Sequence, residues 1–222
     1  MPGQKQKAFI KISRDEYPVD PRKEFDHIGT MVCWHKRYEL GDEQPKETNS
    51  DWLQSFTEEL PGGDSVAYWY NRAQDEDNPA YSEKMMDKAI GRTLADHVIM
   101  LPLYLYDHSG ITISTGPFSC PWDSGRVGWI YTTKEKVRKY WGVKRVGKRV
   151  LRQVWDTLQG EVNEYDHYLT GAVYCFRLED VDGEEIDGCG GFYEDVQSVV
   201  EYVLDSYKHT YDVSPDYEFL VG

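Results

Sequence analysis

No stretch of this chain approaches the roughly 18 consecutive apolar residues that a membrane-spanning helix requires. The opening residues MPGQKQK hold no apolar stretch of the kind a secretory leader needs. Cysteine is scarce: Cys33, Cys120, Cys175 and Cys189 stand far apart and form no CxxC pair. That spacing argues against a four-cysteine zinc centre and against a disulfide framework. Reduced thiols and a cytoplasmic location are the expectation that follows. The motifs with known mechanisms are missing too. Without HExxH or HxH, without GxxxxGK[ST], and without GxGxxG after a strand, zinc hydrolases, P-loop enzymes and dinucleotide enzymes lose their main signals. There is no internal repeat and no low-complexity tract, and no cofactor is expected.

What is present is acid and polar aromatic. The 222 residues carry a net charge of −14, with 17 Tyr and 7 Trp against 7 Phe. Hydrophobic residues make up 40%, enough to rule out global disorder. Tyr and Trp keep a polar handle and favour half-buried or contact positions, most simply the rim of a core. An acidic molecule repels phosphates and anionic lipid, so direct nucleic-acid binding and membrane association are not expected. The charge is bipolar, however. Residues 134–152 hold Lys134, Lys136, Arg138, Lys139, Lys144, Arg145, Lys148, Arg149 and Arg152 against Glu135 alone. Beyond them, Arg177 and Lys208 face a tail rich in Asp and Glu. A solvated basic helix lying against an acidic face of the same protein is the plain explanation.

Along the chain, KAFIKI (7–12) reads as an alternating strand and residues 29–42 as a buried strand entering a turn. EYPVDPRKEFD reads as a loop. Ser50 caps an expected helix over 51–60, SVAYWYNRA (65–73) reads as a strand, and 74–81 as a loop. After Ser82 comes a helix whose Met85, Met86, Ile90 and Leu94 recur at core spacing. Residues 98–108 form a strand in which Pro102 marks an irregularity or a sheet edge. SGITIS pairs with it. Thr132 and Glu135 form a capping box for KEKVRKYWG, and a longer helix spans roughly 146–165. Residues 172–194 form a hairpin turning at Asp182-Gly183, and an amphipathic helix over 196–209 closes the chain. The expected fold is α+β, an antiparallel or mixed sheet covered by about four helices. It is expected as one compact domain over 1–222, with room for an N-terminal subdomain over 1–80.

Functional signal concentrates in residues 104–133, where Asp107, His108, Ser109, Cys120, Trp122, Asp123 and Ser124 crowd Gly/Pro-rich turns between strands. If the chain is an enzyme, a small hydrolase or nucleotide-processing one, Asp107, His108, Cys120 and Asp123 carry the chemistry. Cys120 would be the nucleophile and His108 or His35 the base. A mixed metal site could draw on His35, Asp107, His108, Asp123 or His167, but a lone Asp-His dipeptide is more often a turn, and no metal is expected. Paired carboxylates for glycosidic chemistry find no readable separation. Binding is the better-supported class, because Trp and Tyr beside charge are characteristic of contact hot spots. Trp122, Ser124 and Arg126 are one candidate contact; Glu179, Asp180, Asp182, Glu184, Glu185 and Asp187 are another. Such an acidic hairpin could occupy a cationic groove built for nucleic acid. Nothing in the sequence specifies an oligomeric state.

The segments FDHIGTMVCWHKRYELGD (25–42) and YDHSGITISTGPFSCPWDSGRVGWIY (106–131) carry a resemblance. In them the chain is similar to a family of proteins encoded by bacteriophages, prophages and other mobile elements. The likeness extends through TTKEKVRKYWG and EVNEYDHYLTGAVYCF. It implies no catalytic residue. It implies a small soluble acidic protein made inside an infected or transformed bacterium. By analogy with accessory proteins of such elements, its partner would be a host protein or nucleoprotein complex with a basic surface, such as a nuclease-type defence complex.

Overall fold

The computed structural model describes residues 5–75 and 79–220. In chain order they form β1 (Gln6–Arg14), α1 (Pro21–Glu24), β2 (Thr30–Cys33), α2 (Asn49–Glu58), α3 (Asp64–Asp75), α4 (Pro79–His97), β3 (Val98–Asp107) and β4 (Ile111–Ser114). There follow β5 (Ser124–Thr133), α5 (Lys134–Trp141), α6 (Lys148–Thr170), β6 (Tyr174–Glu179), β7 (Glu185–Phe192), α7 (Val196–Tyr207) and β8 (Tyr211–Leu220). The fold is α+β. Its strands make two four-stranded sheets rather than one, in the orders β7-β6-β1-β8 and β2-β5-β3-β4.

Contacts group the chain into two units: Met1–Phe25, His108–Ile113 and Asn163–Gly222 in one, Asp26–Asp107 and Ser114–Val162 in the other. In the first unit, alternation in β1 puts Ala8, Ile10 and Ile12 on one face, where they bury with Phe176, Leu178, Val199, Val200 and Val203. The valines recur at helical spacing on α7, so a period of two meets a period of 3.6 across this buried interface. α7 also carries the crossover from β7 to β8, which pairs parallel to β1. The last described element is therefore the strand β8, not the helix expected from 196–209. Pro215 hid that strand. It sits where the β1–β8 register shifts, between Ala8↔Val213 and Ile10↔Tyr217, on an edge strand where a missing N–H is tolerated.

In the second unit, β5 lies between β2 and β3. Glu161, buried on α6, accepts from the backbone N–H of Ile28 at 2.8 Å and of Gly29 at 3.0 Å. It thereby holds the chain entering β2. Gly128 is required by close approach: a Cβ there would lie 1.9 Å from the Val32 carbonyl oxygen. Trp34, Trp52 and Trp129 pack edge-on and stacked with centroids 5.4 to 6.0 Å apart.

Several local expectations change. SVAYWYNRA is helix α3, because Val66, Trp69 and Ala73 turn inward at helical spacing and Trp69 meets Tyr81 of α4. The cap of α2 is Thr48, whose hydroxyl accepts from Asp51 N–H, and Ser50 lies inside the helix. α4 begins at Pro79, before Ser82, and Met85, Met86, Ile90 and Leu94 are only half-buried. Of the loop expected over 74–81, residues 76–78 lie outside the described ones. A short helix, α1, interrupts the loop expected before residue 26. Pro102 is in an interior strand, and the irregularity is a bulge one step on, between Leu103 and Tyr104. α5 is capped by Thr133, not Thr132, and Gly142 ends it in the left-handed conformation at φ +63°.

Candidate functional site

Strands β3 and β5 run antiparallel, so Asp107 at the end of one and Asp123 just before the other become neighbours. The Asp107 N–H donates to the Asp123 carbonyl at 2.8 Å. The approach to β5 is tied within itself. The Ser124 hydroxyl donates to the Cys120 carbonyl, and the Cys120 thiol lies 3.5 Å from an Asp123 carboxylate oxygen.

A second segment reaches the same place by long-range pairing. β2 pairs with β5 at Cys33↔Gly128, and Trp34 N–H donates to the Val127 carbonyl at 2.7 Å. That brings the turn His35–Arg37 over the end of β3. Arg37 pairs with the Asp107 carboxylate. His35 stacks on Tyr38 at 5.0 Å, and its Nδ1 accepts from the backbone N–H of Arg37 and Tyr38 at 3.3 and 3.2 Å. The Arg126 guanidinium lies 4.4 Å from the Trp129 ring centroid, a cation–π contact.

The result is an open cleft of about 480 Å³. The sequence-derived candidates Asp107, Trp122, Asp123, Ser124 and Arg126 all line it, together with Trp34 and His35–Arg37. Trp122 is 91% exposed at its rim. An indole left in water gains nothing within its own fold, so it is available to a partner. Cys120 sits beside the cleft rather than on its wall, with a carboxylate as neighbour. His108 belongs to the other unit, in a turn closed by its N–H to the Gly110 carbonyl, with Ser109 at φ +59°. His167 ends α6 with Nδ1 3.1 Å from the Ala172 carbonyl oxygen. Among the described residues, no three His, Cys, Asp or Glu side chains are arranged to hold a metal ion. Sequence reasoning passed over Arg37 and Lys36; the one local signal for them was the HKR turn that follows β2.

The acidic hairpin separates into two kinds of carboxylate. Glu179 pairs with Arg177 at 2.8 Å and Lys11 at 4.0 Å. Asp180 accepts from the N–H groups of Asp182 and Glu184 at 2.9 and 3.0 Å, building the turn around Gly183 at φ +82°. Asp187 accepts from the Tyr207 hydroxyl and from Gly188 N–H, which holds its carboxyl below the ordinary range. The same bond, with burial and the carboxylate charge, pushes Tyr207 up to about 12. Asp182, Glu184 and Glu185 are exposed, and their side chains have no hydrogen-bond or ion-pair partner among the described residues. Comparison with protein-family models, curated proteins and solved structures finds no match for this chain.

Proposed function

We propose that this chain is an accessory protein of a phage or mobile element that acts by binding a host protein or nucleoprotein complex with a basic surface, as an inhibitor of a nuclease-type defence complex. The observation that carries the binding reading is Trp122, exposed at the rim of a cleft that mixes Arg37, Arg126, Asp107 and Asp123. A large rigid aromatic surrounded by polar groups is the make-up of an interface anchor, where truncation typically costs 2 kcal/mol or more, by an order-of-magnitude rule. The unpartnered carboxylates Asp182, Glu184 and Glu185 supply a second contact for a cationic partner. Covalent catalysis finds less support. The Cys120 thiol faces the Asp123 carboxylate, which does nothing to hold a thiolate, where a nucleophile needs an imidazole or another cation.

The test is affinity capture from bacteria carrying defence systems, comparing the tagged chain with Trp122→Ala. A stoichiometric partner held by the native chain and lost, by roughly 30-fold or more in affinity, with the variant supports the reading. A partner held equally by both removes the cleft from the interface, and a capture with no partner removes the binding reading.

A further inference from the structure

The strongest feature outside the cleft is the elbow joining α5 to α6. Gly142 turns the chain left-handed, and Val143 N–H donates to the Arg138 carbonyl at 3.0 Å. α6 then starts within a few residues, with Leu151 N–H bonded to Gly147 O at 2.9 Å. Along this short path stand Arg138, Arg145, Arg149 and Arg152, with Lys144 and Lys148 between them, and all six are exposed. None has an ion-pair partner among the described residues. The simple expectation that these cations are neutralised by acid elsewhere in the chain therefore finds no ion pair to support it.

Their position is also unfavourable for the helix. α6 has no acidic residue in its first turn, and Lys148, Arg149 and Arg152 crowd the positive end of a 23-residue dipole. A bound anion would relieve both the dipole and the like-charge crowding. Aromatic surface lies among these cations. Tyr140 is 71% exposed and Trp155 46% exposed. Spacings of four and three residues put Lys148, Arg152 and Trp155 on one stripe of α6. The adjoining face, about a quarter-turn round the helix, is spent inside the protein, with Val154 and Leu158 fully buried.

We infer that the α5–α6 elbow is a binding site for single-stranded nucleic acid, with phosphates held by the arginines and lysines and bases stacked on Tyr140 and Trp155. Guanidinium groups match phosphate geometry, and exposed rings accept any base face. A membrane surface fits less well, because interfacial helices need an apolar face to insert and those of α5 and α6 are buried. The inference stands apart from the cleft and does not depend on Trp122.

The test is fluorescence anisotropy of a labelled oligothymidylate titrated with the full chain over a series of KCl concentrations. Binding is expected, with affinity falling linearly on a log–log salt plot from physiological salt upwards. Changing Arg145, Lys148, Arg149 and Arg152 together to Gln should weaken binding at least about 10-fold and flatten the slope by roughly 3, near 0.7 per lost phosphate contact. Trp155→Ala should lose about 10-fold with the slope unchanged. Circular dichroism melts check folding, and Arg149→Gln alone, expected to flatten the slope by about 0.7, replaces the fourfold variant if that one unfolds. No binding, binding indifferent to these changes, or tighter binding to a blunt duplex would overturn the inference. So would equal binding to polyglutamate or to phosphatidylserine vesicles.

Discussion

At the end of β5 the Thr133 hydroxyl accepts from Lys136 N–H at 3.1 Å and caps α5. Its neighbour Thr132 is buried, and its hydroxyl has no hydrogen-bond partner among the described residues. The two side chains are chemically identical and differ only in what surrounds them. A cap satisfies an N–H that the helix cannot, whereas a buried hydroxyl without a partner keeps its desolvation cost. Thr132→Val, which swaps the hydroxyl for a methyl of similar size, should therefore stabilise the fold by about 1 kcal/mol. Thr133→Ala should destabilise it by about 1 kcal/mol. Denaturant unfolding of the two variants measures both signs. A loss of stability in Thr132→Val would mean that the hydroxyl has found a partner, such as a bound water.

The β6–β7 hairpin shows the same division across a whole element. Asp180 organises the turn and Asp187 ties the second strand to Tyr207, so both belong to the fold. Asp182, Glu184 and Glu185 face solvent and are available to a partner. Changing these three to Asn or Gln should leave the unfolding free energy within about 0.5 kcal/mol while weakening partner binding and flattening its salt dependence together. Asp180→Ala should instead cost about 1 kcal/mol of stability through two lost hydrogen bonds, both accepted by one carboxylate oxygen. Unchanged partner affinity in the triple variant would remove the hairpin from the contact surface. This hairpin was legible in the sequence because alternation and an Asp-Gly turn are local signals, and α5 and α7 were legible for the same kind of reason. α3 was not, because Tyr68-Trp69-Tyr70 are good strand formers and only packing against α4 selects the helix. Half of the cleft was legible for similar reasons. Residues 107–126 announce themselves by turn chemistry, but His35–Arg37 arrive through the pairing of β2 with β5, nearly a hundred residues away in the chain. No local pattern encodes that register.

For the molecule as a whole, a net charge of −14 and an unpaired basic elbow act at different distances. Charges are screened beyond roughly 30 Å at 0.01 M salt but beyond only about 8 Å at physiological ionic strength. At low salt an approaching polyanion meets the field of the entire acidic molecule and is repelled. At physiological salt that field has decayed, and only the groups within contact range are felt. This is why net charge argues against nucleic-acid binding in general without deciding what one exposed patch does. The consequence is kinetic. A net-basic binder associates fastest at low salt and slows as salt rises. This chain should do the reverse at first: its association rate with a single-stranded oligonucleotide should rise severalfold, by roughly 10-fold at most, between low and physiological salt, then fall as the local contacts are screened in turn. Stopped-flow anisotropy over that range measures it. An association rate that falls steadily from the lowest salt would mean that the elbow, not the net charge, dominates the far field.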